Sequence, residues 1–121
     1  MTVVTLADLM EQETEALNQV ISVAEEAFRK LGYGVLATLE LRPGVFLSFE
    51  KQGKTWGLHV RRESEDGCHL LSSVSREDRI LAAARFSELR EELQKNTRIE
   101  IERVRAASAS IQKFLDELEG E

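Results

Sequence analysis

Residues 33–74, YGVLATLELRPGVFLSFEKQGKTWGLHVRRESEDGCHLLSSV, decide how the chain is built, because apolar residues recur there with a period of two. Alternation at this spacing places side chains on opposite faces of a strand. GYGVLATLEL, GVFLSFEK, KTWGLHVRR and GCHLLSSV read as four strands, separated by RPG, QG and ESED, which are turn compositions. Connections this short join antiparallel neighbours, so the unit is a four-stranded antiparallel meander. A two-residue turn at Gln52 and Gly53 pairs Phe49 with Trp56, Leu47 with Leu58 and Val45 with Val60, which collects the large apolar side chains on one face. A three-residue turn at Arg42 to Gly44 adds Leu39 opposite Leu47 and Ala37 opposite Phe49 on that face. It also gives Pro43 a disfavoured turn position, so a longer loop is the alternative.

The flanks are helical. From Thr5 to Leu31, the residues Leu6, Leu9, Met10, Leu17, Val20, Ile21, Ala24, Ala27, Phe28 and Leu31 form an amphipathic stripe. Thr5 with Asp8 approximates a capping box, and Gly32 offers a left-handed C-terminal cap. Beyond the meander, Ser75 followed by Asp78 and Thr97 followed by Glu100 both read as helix starts, which predicts two helices over 76–95 and 98–118. The fold class is therefore α+β in a single domain over 1–121: a helix at 5–31, a meander at 33–74 and two C-terminal helices.

Composition narrows the function. With 42% apolar and 31% charged residues in 121, the chain can bury one core. Its net charge of −6 disfavours nucleic acid and anionic lipid as partners. A single cysteine, Cys68, gives no intrachain disulfide, no apolar run spans a bilayer, and the first residues lack the basic and apolar regions of a secretory signal. A cytoplasmic protein without a membrane partner is expected.

Both histidines and the cysteine lie in HVRRESEDGCH, residues 59–69. With a loop over Arg62 to Asp66, His59 lies across from His69 on one face while Cys68 points to the other, beside Leu70, as a small core residue. Two imidazoles fall short of the three or four protein ligands that zinc takes, and Glu40 and Glu50 share their face only from other strands. No metal, cofactor or catalytic residue is assigned. GYG at 32–34 follows a helix where a nucleotide-binding glycine loop follows a strand, and Ser72, Ser73 and Ser75 have no histidine and carboxylate placed beside them. The arginines of the last segment, Arg76, Arg79, Arg85, Arg90, Arg98, Arg103 and Arg105, alternate with acidic residues as on a solvated helix surface.

Two apolar features exceed the needs of one core. Leu36, Phe46 and Leu71 share the face of His59 and His69, and Ile101, Val104, Ser108, Ile111, Leu115 and Leu118 alternate at three and four residues, the seam of a short coiled coil. The junction at Asn96 and Thr97 is short for a reversal of direction, so the seam is expected to meet the same helix of a second subunit. The expected function is a non-enzymatic protein–protein interaction module: a homodimeric adaptor or chaperone-like protein holding a segment of an unidentified protein partner. The alternative is a metal-binding protein or enzyme using the sheet face around His59 and His69, with Arg61. The small size, acidity and helix-flanked sheet loosely resemble those of small acidic secretion chaperones, which place a helix inside the sheet sequence where this chain has none; no family is assigned on that likeness.

Overall fold

Each helix start marked by a short polar side chain before the meander or directly after it is capped as its sequence requires. In the computed structural model, which describes residues 3–121, the Thr5 hydroxyl accepts from Asp8 N–H and the Asp8 carboxylate accepts from Thr5 N–H, both at 3.1 Å. This box opens α1, Leu6–Leu31, and Gly32 closes it at φ 64°. Four antiparallel strands follow in the order β1 (Ala37–Arg42), β2 (Val45–Gln52), β3 (Thr55–Arg62) and β4 (Cys68–Leu70), then one 3₁₀ turn, Leu71–Ser73. Ser75 Oγ accepts from Asp78 N–H at 3.2 Å and starts α2, Arg76–Ala83, and α3 runs from Phe86 to Glu119. The architecture is α+β, with an N-terminal helix, a four-stranded meander and two C-terminal helices.

Glycine fixes the hairpin registers. Ala37 pairs with Phe49 and Leu39 with Leu47, as the alternation predicts, but Pro43 and Gly44 make a two-residue connection and Leu41 is left unpaired as a bulge. Proline at the first central position and Gly44 at φ 76° at the second suit a type II turn, whose poor match to strand twist the bulge absorbs. In the second hairpin the turn is Gly53 and Lys54, not Gln52 and Gly53, so Phe49 faces Leu58, Leu47 faces Val60 and Lys51 faces Trp56. Gly53 has φ 61°, which the first central position of a type II′ turn demands; the expected turn would have placed Gln52 there. The shift is two residues along β3, so the apolar face survives it.

That face carries the core. Ala37, Val45, Leu47, Phe49, Leu58 and Val60 are buried with Ile21 and Phe28 of α1, Ala82 of α2, and Leu89 and Leu93 of α3. Phe49 joins Phe28 and Trp56, each with ring centroids 5.5 Å away; the half-buried Trp56 stacks on it although it pairs with Lys51 and not, as expected, with Phe49. Beyond the short β4, α1 closes the exposed edge of β3: Glu25 Oε2 accepts from Leu58 N–H at 2.8 Å, and Arg29 Nε donates to Trp56 O at 2.6 Å. Two side chains thus stand in for the missing length of a strand. Replacing Glu25 by alanine is expected to cost about 1.5 kcal/mol. Faster hydrogen exchange at the Leu58 amide identifies the edge as the place of loss, and unchanged protection there would refute this role.

The C-terminal helices break elsewhere than expected. Asn96 and Thr97 lie inside α3, and the interruption is at Ala84 and Arg85. Thr97 Oγ1 donates back to Leu93 O at 2.7 Å instead of capping, and Asn96 Nδ2 donates to Leu36 O at 2.9 Å, fastening the helix to the lead-in of β1. Phe86 sets the new start, meeting Phe28 edge-on at 6.1 Å, and Arg85 offers no side-chain cap. No helix among the described residues is long and apolar enough to cross a membrane.

Candidate functional site

The third connection changes the chemistry of the sheet. Arg62 remains in β3 and the loop is Glu63 to Gly67, so His59 pairs with Leu70, Val60 with His69 and Arg61 with Cys68. This register differs by one residue from the expected one, which reverses the faces of β4. Gly67 at φ 83° ends the loop, and Glu63 N–H donates to Gly44 O at 2.8 Å, anchoring it to the first hairpin turn. The two histidines are therefore not partners. His69 is exposed on the other face, where Nε2 donates to Glu65 Oε2 at 2.7 Å, and this hydrogen bond holds the Glu65 carboxyl below the usual range.

Cys68, far from pointing into the core, joins His59 and Glu50 on the face opposite the helices. One donor atom from each of the three lies within 4.8 Å of the others, on three consecutive strands. Glu50 stands opposite Gly57, and His59 opposite Ser48. A Cβ at position 57 would come within 3.1 Å of Glu25 Oε2 and 3.3 Å of His59 Cε1, so glycine makes room for the imidazole and the edge clamp together. His59 Nδ1 lies 3.0 Å from Gly57 O. A carbonyl only accepts, so Nδ1 carries a proton, and the tautomer this contact selects has its lone pair on Nε2.

Arg61 completes the group. It stands opposite Phe46, yet its Nε and Nη2 donate to Glu50 Oε2 at 2.9 and 2.7 Å, so the side chain lies along the sheet across the row of Ser48 and His59. This explains why a polar face open to water has buried members: His59 is 5% exposed and the Glu50 side chain 8%. Glu50 Oε1 is buried with no hydrogen-bond partner among the described residues. Burial works against the ionised Glu50, but Arg61, with Cys68 and His59, holds its carboxyl below the ordinary range. Burial, and then the Glu50 carboxylate, push the Cys68 thiol up. A thiol so placed is a poor free nucleophile, and His59 is oriented by a backbone carbonyl in place of a carboxylate; the group does not have the build of a cysteine–histidine relay.

The expected interaction surface divides. Leu71 is buried in the core and His59 in the polar cluster, so neither offers surface; Phe46 is half-buried and Leu36 exposed. Leu71 turns inward because the 3₁₀ turn, where a fourth strand was expected to continue, rotates it toward the core. The seam residues Ile101, Val104, Ile111, Leu115 and Leu118 are 43–61% exposed, and every residue from 101 to 121 is exposed. Ile101 and Val104 line a shallow groove with Tyr33 and Val35. Comparison with family models, curated proteins and solved structures finds no match to the chain.

Proposed function

We propose that the chain is a homodimeric protein–protein interaction module whose subunits join through the projecting half of α3. What supports this reading is that helix itself: 34 residues, about 51 Å long, which beyond the groove at Ile101 and Val104 stands clear of the body and carries an exposed apolar seam from Ile101 to Leu118. A projecting helix that leaves Ile101, Val104, Ile111, Leu115 and Leu118 unburied on one side presents an apolar stripe of the kind that marks a partner face.

A second copy fits in antiparallel orientation. The spacing then stacks Ile101 on the partner's Leu118, Val104 on the partner's Leu115, and Ser108 on the partner's Ile111, with the same layers repeated across the dyad. Small meets large in the central layers, whereas a parallel pair would set serine against serine. Arg98 comes near the partner's Glu119, a pairing of opposite charges at the flank. The overlap consumes the free helix on both sides and brings the partner's Leu118 to the groove of Tyr33, Val35, Ile101 and Val104. Each such dimer joins two chains of net charge −6 each, suited to a neutral or basic protein segment and unsuited to nucleic acid. Sedimentation equilibrium at micromolar concentration tests the reading: twice the chain mass is expected, and a monomer would refute it.

A further inference from the structure

We propose that Glu50, His59 and Cys68 form a binding site for one divalent cation of the zinc class, with a fourth position open to water. Thiolate, imidazole and carboxylate together are a borderline-soft donor set, which selects zinc over magnesium or calcium. Two features of the apoprotein are those of a prepared ligand shell. His59 donates Nδ1–H to Gly57 O at 3.0 Å, the outer hydrogen bond that fixes the tautomer of a ligating histidine and leaves Nε2 for the metal. Glu50 is clamped through Oε2 by Arg61 while Oε1, buried and without a hydrogen-bond partner among the described residues, is the oxygen left to ligate. An orphaned buried carboxylate oxygen is costly, and a cation satisfies it.

The donors lie within 4.8 Å of one another, whereas donors around tetrahedral zinc are roughly 3.3 to 3.8 Å apart. Binding therefore requires at most about 1.5 Å of contraction, within the reach of side-chain rotation on fixed strands. The Cys68 proton leaves to bulk water as the sulfur–metal bond forms. With thiolate, carboxylate, the Arg61 cation and a divalent ion the group carries one net positive charge, and Arg61, 41% exposed, is screened by solvent on the far oxygen. The site lies within one chain and does not depend on the α3 seam.

Protein freed of metal with a chelator and kept reduced is titrated with Co²⁺ and then with Zn²⁺. One equivalent of Co²⁺ per chain is expected to give a thiolate-to-cobalt charge-transfer band with the visible bands of four-coordinate geometry, and Zn²⁺ is expected to bleach both. Cys68→Ser, nearly isosteric, removes the band and weakens Zn²⁺ binding at least about ten-fold; His59→Gln weakens it similarly; His69→Ala changes nothing. Should His59→Gln fail to fold by circular dichroism, the half-exposed Cys68 decides through Cys68→Ser and Zn²⁺ affinity. Absence of the band in folded wild type, one ion per two chains, dependence on His69, or Zn²⁺ affinity unchanged in Cys68→Ser would each overturn the site.

Discussion

Replacing Asp78 by alanine lowers the unfolding free energy by about 3 kcal/mol, at the lower end of what removal of one partner from a buried ion pair costs. The Asp78 side chain is 2% exposed and receives Arg42 Nε at 3.0 Å and Arg62 Nη2 at 2.8 Å. Both arginines pair with Val45, Arg42 from β1 and Arg62 from β3, so one carboxylate on the first turn of α2 pins the ends of three strands. Its backbone N–H is held in turn by Ser75. The arginines are 48% and 24% exposed and rehydrate when the carboxylate is gone, which keeps the loss near the lower figure. Arg42, then Arg62 and Ser75, hold the Asp78 carboxyl below its ordinary range despite burial. A depressed folded-state value means that the unfolded chain takes up the proton first as pH falls. The stabilisation is therefore present above the unfolded value of about 3.9 and is lost as pH drops through the folded one. Urea unfolding near neutral pH and at about pH 3 should show the variant less stable and less acid-sensitive than wild type. Asp78→Asn, which keeps the volume, separates charge from packing, and a loss below about 1 kcal/mol in both variants would show that the arginines do not depend on this residue.

Signals confined to a few consecutive residues were legible in the sequence; those that depend on distant packing were not. Thr5, Gly32 and Ser75 act on backbone groups within a turn of themselves, and each caps as read. The two faces of β1, β2 and β3 were also legible, because a two-residue error at Gly53 leaves side-chain parity intact. At Gly67 the error was one residue, and parity failed: Cys68 moved from the core to the side of His59, and His69 from that side to the other. The signal for the correct register was present, since a glycine closing an acidic loop suits a positive φ and places the strand start at Cys68. The cluster of Glu50, His59 and Cys68 follows once that residue is placed. Nothing local marks the break at Ala84 and Arg85, however, because Phe86 packing on Phe28 sets it across 58 positions of sequence. Asn96 and Thr97 imitate a boundary while their side chains bond Leu36 and Leu93 carbonyls within a continuous helix.

Continuity of α3 through that point gives the largest expected effect on assembly. Introducing aspartate at Ile111 and Leu115 converts the proposed dimer to a monomer, because the antiparallel layers place four carboxylates in one seam and remove four of its apolar side chains. Each of those side chains is about half exposed in a single chain, so its burial contributes on the order of 1 kcal/mol, and charge desolvation adds to the loss. Dimer affinity should fall at least about a hundred-fold, or roughly 2.7 kcal/mol, while circular dichroism of the sheet and Trp56 fluorescence stay native, since residues 101–121 contribute nothing to the core. Orientation is tested separately in a Cys68→Ser background. Val104→Cys alone should not form a disulfide, because its dyad mate lies about 16 Å away along an antiparallel pair. A mixture of Val104→Cys and Leu115→Cys chains should crosslink as the heterodimer. Efficient crosslinking of Val104→Cys with itself would establish the parallel pair, in which Ser108 faces its own copy, and would refute the antiparallel arrangement while leaving the dimer in place.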